Sequence, residues 1–151
     1  MLIKTLKALF NRDLNRLKSE MEQYNSEEAI WKVDKNITNT AGNLCLHLVG
    51  NLNAFIGAEL GKTGYIRQRK LEFSLKNVPR TELIESIDKL LPIIDKTLDN
   101  LTEKQIESTY PLNVFKKEMT TAYFLVHLAG HLNYHLGQIN YHRRLLDAEA
   151  N

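Results

Sequence analysis

Residues 127–138 read HLAGHLNYHLGQ and place three histidines at four-residue intervals, followed by a glutamine. On an α-helix each residue advances about 100° around the axis, so residues spaced in this way share one face. The residues on that face are His127, His131, His135, Gln138 and His142. The spacing predicts a helix from about Thr120 to Leu146. Because the same face carries Phe124 and Leu145, we expect it to point inward.

Three further stretches repeat apolar residues at three- and four-residue steps, as amphipathic helices do. They cover residues 2–24, 38–60 and about 83–101. Glycines end the second stretch, and Pro79 with Thr81 indicates a helix stop followed by a new N-cap. We expect Pro92 to kink the third stretch. With the histidine helix, the pattern predicts an all-α fold, a four-helix bundle in a single domain covering residues 1–151.

The connections between the predicted helices are long for a bundle. Residues 61–80 contain no long helical period, and residues 102–118 form a polar connection. A connection of this length can cross the bundle and leave the second and third helices parallel, so we expect long crossovers rather than a simple up-down-up-down order. Tyr65, Arg67 and Arg69 lie in the first connection, where they can line the mouth of a pocket.

Charge and composition narrow the classes of partner. The net charge is +2 and the basic residues are scattered among acidic ones, so there is no concentrated field for nucleic acid. The N-terminal residues 1–21 carry a charge every few positions and lack the uninterrupted apolar run of a signal peptide or a membrane-spanning helix. Cys45 is the single cysteine and excludes an intrachain disulfide, which fits a reducing compartment. We expect a cytoplasmic protein that does not bind nucleic acid or membranes.

Residues 46–57 and 126–137 match at six of twelve positions when they are aligned without gaps. His47 then falls on His127. This internal similarity has two explanations, a duplicated helical hairpin or two buried helices with shared small-residue packing at Gly50 and Gly130.

The histidine spacing also limits which residues can bind one metal ion. His127 and His135 lie about 12 Å apart along the helix axis, too far to join one ion together with His131, so the helix offers the pair 127/131 or the pair 131/135. His47 is the one histidine outside this helix and can supply a third nitrogen. Three imidazoles with an open coordination position are typical of catalytic metal sites. The alternative is that the histidines serve only the packing of a helical core.

Three parts of the sequence carry a family resemblance: Trp31, the segment NTAGNLCLHL at residues 39–48, and HLAGHLNYHLGQI at residues 127–139. Together they resemble the DinB-like superfamily of four-helix bundles. The resemblance implies a divalent metal, zinc or nickel, on the second-helix histidine and on two histidines of the fourth helix. The Gly137-Gln138 ending selects the pair 131/135, so the implied ligands are His47, His131 and His135.

The resemblance also implies an activity. Characterised members are transferases and isomerases that use a low-molecular-weight thiol such as bacillithiol, mycothiol or glutathione, and a homodimer is common among them. We therefore expect a metal-dependent enzyme acting on a small-molecule substrate, and the resemblance implies a thiol S-transferase. Three residues are candidates for supporting the metal ligands: His127, Asn51 and Gln138. The alternative function is a non-enzymatic bundle that binds a ligand or a protein and has core histidines.

Overall fold

The structure is a computed structural model that describes residues 1–147, and this part of the chain forms six α-helices and no β-strand. The helices are α1 (Leu2–Gln23), α2 (Ala41–Leu52), α3 (Arg69–Ser74), α4 (Arg80–Asp99), α5 (Glu103–Glu107) and α6 (Thr121–Leu146). The predicted all-α bundle is confirmed, with α1, α2, α4 and α6 as its four long members. Residues 148–151 of the predicted single domain lie outside the described residues.

Ion pairs fix the direction of α1 relative to α4. Lys7 near the start of α1 contacts Asp99 at the end of α4, with 2.6 Å between Nζ and Oδ1. Lys18 near the end of α1 contacts Asp88 in the first half of α4, at 2.9 Å. The two helices are therefore antiparallel.

Two buried carboxylates join α1 to α6. Asp13 accepts a hydrogen bond from Asn133 Nδ2 at 3.2 Å, and Glu20 accepts from Asn140 Nδ2 at 2.6 Å and Arg143 Nε at 2.7 Å. Because both contacts advance in the same direction along the two helices, α1 and α6 are parallel.

The helices α2 and α4 also run parallel, as the long connection between them predicts. At one end, Asn43 Nδ2 donates a hydrogen bond to the Leu75 carbonyl at 2.8 Å, just before α4 begins. At the other end, Gly57 lies directly against Ile93 in the second half of α4. The residues that connect α2 to α4 include α3 and run back along the length of the bundle. The order along the chain is therefore up-down-down-up for α1, α2, α4 and α6.

The core is one apolar cluster to which all four long helices contribute. Each fully buried leucine or phenylalanine in it contributes about 1.5–3 kcal/mol relative to an exposed one. Representative members are Phe10, Leu14, Leu48, Leu52, Leu90, Ile94, Phe124 and Leu132, each at most 1% exposed. Trp31, in the connection between α1 and α2, packs against this core. Its ring lies over Gly42, where a Cβ atom would come within 2.6 Å of it. None of the helices described has the length and apolar character needed to cross a membrane.

Several predicted boundaries need correction. The second predicted helix is α-helical only from Ala41 to Leu52 and continues as a π-helical turn, Asn53–Ala58. The connections at residues 61–80 and 102–118 each contain a short helix, α3 and α5 respectively. Neither helix is long enough to produce an apolar period in the sequence. The fourth helix begins as predicted, because the Thr120 side chain accepts a hydrogen bond from the Tyr123 N–H. By contrast, α4 begins at Arg80, and Thr81 is not its N-cap.

The two glycines of the internal similarity, Gly50 and Gly130, have different surroundings. A Cβ atom at Gly50 would overlap the carboxylate of Glu72, whereas a Cβ at Gly130 would meet nothing within 4 Å. Shared small-residue packing at these positions is therefore not the explanation of the similarity.

Candidate metal centre

His47 of α2 and His131 and His135 of α6 converge at one point. The Nε2 atoms of His47 and His131 are 3.2 Å apart, and those of His131 and His135 are 3.1 Å apart. One ligand nitrogen from each residue lies within 4.8 Å of the other two. Two imidazole nitrogens on one tetrahedral zinc ion would be about 3.3 Å apart, given Zn–N bonds of about 2.0–2.1 Å. These three side chains can therefore hold a metal ion.

In two of these rings the other nitrogen, Nδ1, faces an oxygen that can accept a hydrogen bond. His47 Nδ1 lies 3.1 Å from Glu72 Oε1, and His135 Nδ1 lies 2.7 Å from Gln138 Oε1. Because a carboxylate or amide oxygen accepts hydrogen bonds, Glu72 and Gln138 favour a proton on each Nδ1 and a lone pair on each Nε2. Arg67 Nη2, which can only donate, also lies 3.3 Å from His47 Nδ1, a longer contact than the one from that nitrogen to Glu72. Such lone pairs directed at one point are what a divalent metal requires, so the donor set fits.

The protonation state of the rings also suits metal binding. Burial lowers the pKa of His131 to about 4, assisted by the charges that His135 and His47 would carry if protonated. Burial also lowers the pKa of His135, partly offset by its hydrogen bond to Gln138. At neutral pH both rings are uncharged, which is the form that coordinates metals.

Glu72 is a site residue that the sequence analysis missed. It lies on α3, is 6% exposed, and receives two hydrogen bonds of 2.9 Å from Arg67, from Nε to Oε2 and from Nη2 to Oε1. Burial of the carboxyl raises its pKa, but hydrogen bonds from His47 and Arg67 outweigh this effect, so the pKa of Glu72 is below its usual value. Glu72 is therefore ionised beside His47.

Nothing local in the sequence identified Glu72, because it is 25 residues from His47 and its helix is only six residues long. Asn43 of α2 places this helix by donating a hydrogen bond to the Glu72 carbonyl at 2.9 Å. Of the three residues expected at a pocket mouth, Arg67 reaches the site, where it contacts both Glu72 and His47 Nδ1. The sequence feature that could have indicated Glu72 is that it is a single carboxylate close to the basic residues Arg67, Arg69 and Lys70.

The expectation that the whole histidine face points inward is wrong. His127 is exposed, and Leu145 is 72% exposed. The buried residues of α6 lie at about 60° to 180° on a scale that sets His127 at 0°; they are Thr121, Phe124, Leu125, Leu128, Leu132, Leu136, Ile139 and His142. His135, at about 80°, lies within this arc, whereas His127 and Leu145 both lie at about 0°, outside it. The His127 ring packs instead against Phe115 and Phe124, with ring centroids 4.8 and 5.9 Å away.

The other residues considered as supports differ in what they contact. Gln138 holds His135, as described above. Asn51 is buried, and within residues 1–147 its Oδ1 has no hydrogen-bond partner. The oxygen that faces His47 Nδ1 belongs to Glu72 and not to Asn51.

His142 lies away from the cluster, where Tyr24 and the Lys32 carbonyl contact its two ring nitrogens at 2.7 and 2.8 Å.

The cluster is accessible and adjoins a cavity. His131 and His135 are half-buried, whereas His47 is only 7% exposed. Gln138 is also part of the wall of a cavity of about 320 Å³, whose other lining residues include Ile37, Leu44 and Tyr141. This volume is at the lower end of the range for small-molecule sites. A ligand in the cavity would lie beside the residue that holds His135.

Comparison with known proteins identifies a family and a shared fold. The family model described as "Protein of unknown function (DUF1572)" matches residues 2–150, so the chain belongs to this family. A crystal structure of a conserved protein from Enterococcus faecalis is similar, with a TM-score of 0.74, 16% sequence identity and 95% of each chain covered. At this identity the similarity establishes the fold alone. No curated protein matches the chain.

Proposed function

Starting from this family membership, we propose that the chain is a metal-dependent enzyme of the DinB-like kind that transfers a low-molecular-weight thiol to a small electrophile. The metal is zinc or nickel and its ligands are His47, His131 and His135. One observation carries the proposal: three imidazole nitrogens converge while Glu72 and Gln138 hold the opposite sides of two of the rings. A histidine that served only core packing would need no such convergence.

A divalent metal held by His47, His131 and His135 would supply a positive charge that lowers the pKa of a small thiol and so favours its nucleophilic thiolate form. The residues of the chain have other tasks. Glu72 and Gln138 fix the orientation of two ligands, and Phe73 packs against His47 with ring centroids 4.9 Å apart. Because three protein ligands leave a position open, the site suits turnover better than a purely structural role.

The nucleophile in this proposal is an external thiol because the chain's own thiol is unsuited. Cys45 is fully buried, and burial raises its pKa to about 12. At neutral pH this thiol is protonated and has no access to a substrate. The cavity beside Gln138 is a suitable place for the electrophile, since its walls combine apolar side chains with the Gln138 and Asn39 amides.

The proposal also includes a cellular compartment and an oligomeric state. We place the activity in the cytoplasm, where a reducing environment keeps small thiols and Cys45 reduced. We also propose a homodimer as the working form, on the basis of the family resemblance. Several exposed apolar side chains on α6 are compatible with this: Tyr123, Val126, Tyr134 and Tyr141.

An activity screen tests the function. Zinc- or nickel-loaded protein is incubated with bacillithiol, mycothiol or glutathione and an electrophilic fluorogenic bimane, and conjugation is followed by fluorescence. We expect turnover with at least one thiol, its loss in His135→Ala, and its retention in His127→Ala. Protein that stays inactive and binds no metal would favour the alternative, a helical ligand- or protein-binding module with core histidines.

A further inference from the structure

The Glu72 carboxylate has three hydrogen-bond donors around it. Oε1 lies 3.1 Å from His47 Nδ1 and 2.9 Å from Arg67 Nη2, and Oε2 lies 2.9 Å from Arg67 Nε. Arg67 Nη2 also lies 3.3 Å from His47 Nδ1, farther than Glu72 Oε1 does. Arg67 approaches with two parallel N–H groups, a bidentate geometry that fixes the carboxylate in plane. The Arg67 guanidinium is itself held over the Phe55 ring, with 5.6 Å from Cζ to the centroid. The carboxylate is thus immobilised where it meets His47.

A glycine on α2 makes this arrangement possible. Gly50 is three residues after His47, on the same side of the helix, and the Glu72 side chain occupies the space that a Cβ atom would need. That atom would overlap Oε2 and come within 2.7 Å of Cδ. Any other residue at position 50 would force the Glu72 carboxylate to move from this position.

We propose that Glu72 is a positioning residue for His47, that Arg67 fixes its carboxylate, and that Gly50 provides the space it occupies. By accepting a hydrogen bond from His47 Nδ1, the Glu72 carboxylate directs the Nε2 lone pair toward His131 and His135 and makes that nitrogen a stronger donor. His135 has a neutral partner, Gln138, so His47 is the ligand with the strongest electrostatic support. The consequence for metal binding rests on the proposed function, whereas the effect on the His47 tautomer does not.

The test uses the full chain and four variants. Glu72→Leu removes the acceptor, Glu72→Gln keeps a neutral acceptor, and Gly50→Ala displaces the carboxylate without altering it. Gly130→Ala is the matched control, because it makes the same change in a helix where a Cβ meets nothing. Two quantities are measured: zinc affinity, by competition with a chromophoric chelator, and the His47 tautomer, by ¹⁵N–¹H correlation spectra of metal-free protein.

We expect Glu72→Leu and Gly50→Ala to weaken zinc binding about 10- to 100-fold, the usual effect of removing a hydrogen-bond partner of a ligand. Glu72→Gln should lose less zinc affinity than Glu72→Leu, and Gly130→Ala should bind zinc as wild type does. In metal-free protein, His47 should carry its proton on Nδ1 in wild type and Gly130→Ala, and this preference should be lost in Glu72→Leu and Gly50→Ala.

The two readouts separate the possible failures. Wild-type protein that binds no zinc would overturn the proposed function, while the tautomer measurement would still decide the role of Glu72. Wild-type affinity and an unchanged His47 tautomer in folded Glu72→Leu would overturn the positioning role. If Gly50→Ala left both readouts unchanged, the part assigned to Gly50 would be wrong.

Discussion

Histidines of α6 with similar helical positions have different surroundings. His142 is 4% exposed, and each of its ring nitrogens has a partner, Tyr24 or the Lys32 carbonyl. His131 has its Nε2 within 3.2 Å of two other imidazole nitrogens, and its buried Nδ1 has no partner among the residues described. The interpretation as a hydrogen-bonded core residue therefore fits His142 and does not account for His131.

The His142 contacts predict a pH dependence of folding. Burial lowers the pKa of His142, an effect only partly offset by the Lys32 carbonyl and the charge of Asp147. As pH falls through about 6.5, the unfolded chain therefore takes up a proton that the folded chain resists, and the free energy of unfolding decreases. Urea unfolding of metal-free protein at pH 7.5 and pH 5.5 measures this loss.

His142→Asn provides the comparison for this measurement. The variant should be less stable than wild type at both pH values, because the Tyr24 hydroxyl loses a buried partner, but it should lose less stability between them. An equal decrease in both proteins would show that His142 does not contribute to the pH dependence, leaving half-buried His131 and His135 as its source.

At the residue scale, the sequence was informative where the contacts are local or shared with a family. The 131/135 pair follows from four-residue spacing together with the resemblance, and His47 was the one histidine left outside α6. Glu72 and Arg67 were not predicted as ligand supports because the contact to His47 depends on how the chain crosses the bundle. Periodicity alone also placed His127 inward, since it does not define where the buried arc ends.

At the scale of elements, glycines of similar sequence context have opposite roles. Gly42 of α2 lies under the Trp31 ring, and Gly50 lies against Glu72, so both mark a close approach. Gly130 and Gly137 of α6 have open space where a Cβ would be. The short helices α3 and α5 could not be predicted from periodicity, yet α5 has a complete capping box at Thr102 and Gln105, a signal present in the sequence.

These glycines predict stability changes of opposite sign. Gly130→Ala should stabilise the protein by about 0.5–1 kcal/mol, because alanine loses less conformational entropy than glycine on entering a helix. Gly42→Ala should destabilise it by about 1–3 kcal/mol, the usual effect of overpacking, because the new methyl group meets the Trp31 ring. Thermal melts would detect both, at about 2–4 °C per kcal/mol for a chain of this size. Destabilisation by Gly130→Ala would mean that something packs on that face of α6.

At the scale of the whole molecule, the up-down-down-up order is what assembles the site. Because α2 is antiparallel to α6, His47 meets the 131/135 pair, and because the connection from α2 to α4 crosses the bundle, α3 lies beside His47. The long 61–80 connection indicated this crossing from the sequence alone. The sequence did not indicate that the same connection would supply a carboxylate to the site.

A metal that joins α2 to α6 should stabilise the whole fold. Binding only to the folded state at a free concentration of about 100 times Kd contributes about 2.7 kcal/mol. At about 2–4 °C per kcal/mol, the melting temperature should then rise by roughly 5–10 °C with zinc and fall back with chelator. His131→Ala should show no such rise. An equal rise in that variant would place the zinc elsewhere on the protein.

The proposed homodimer predicts a solution mass. Light scattering coupled to size-exclusion chromatography should give twice the 17.4 kDa of one chain. A mass of one chain across a range of protein concentrations would contradict the homodimer, although it would leave the three-histidine site within each chain intact.

Elemental analysis tests the central claim most directly. Protein purified without an affinity tag or chelator is measured beside His47→Ala, His135→Ala and His127→Ala. The three-histidine site predicts about one zinc or nickel per chain in wild type and in His127→Ala, and loss of the metal in the other two variants. Wild-type protein that carries no metal and takes up none when it is added would contradict the site and leave the histidine cluster as core packing.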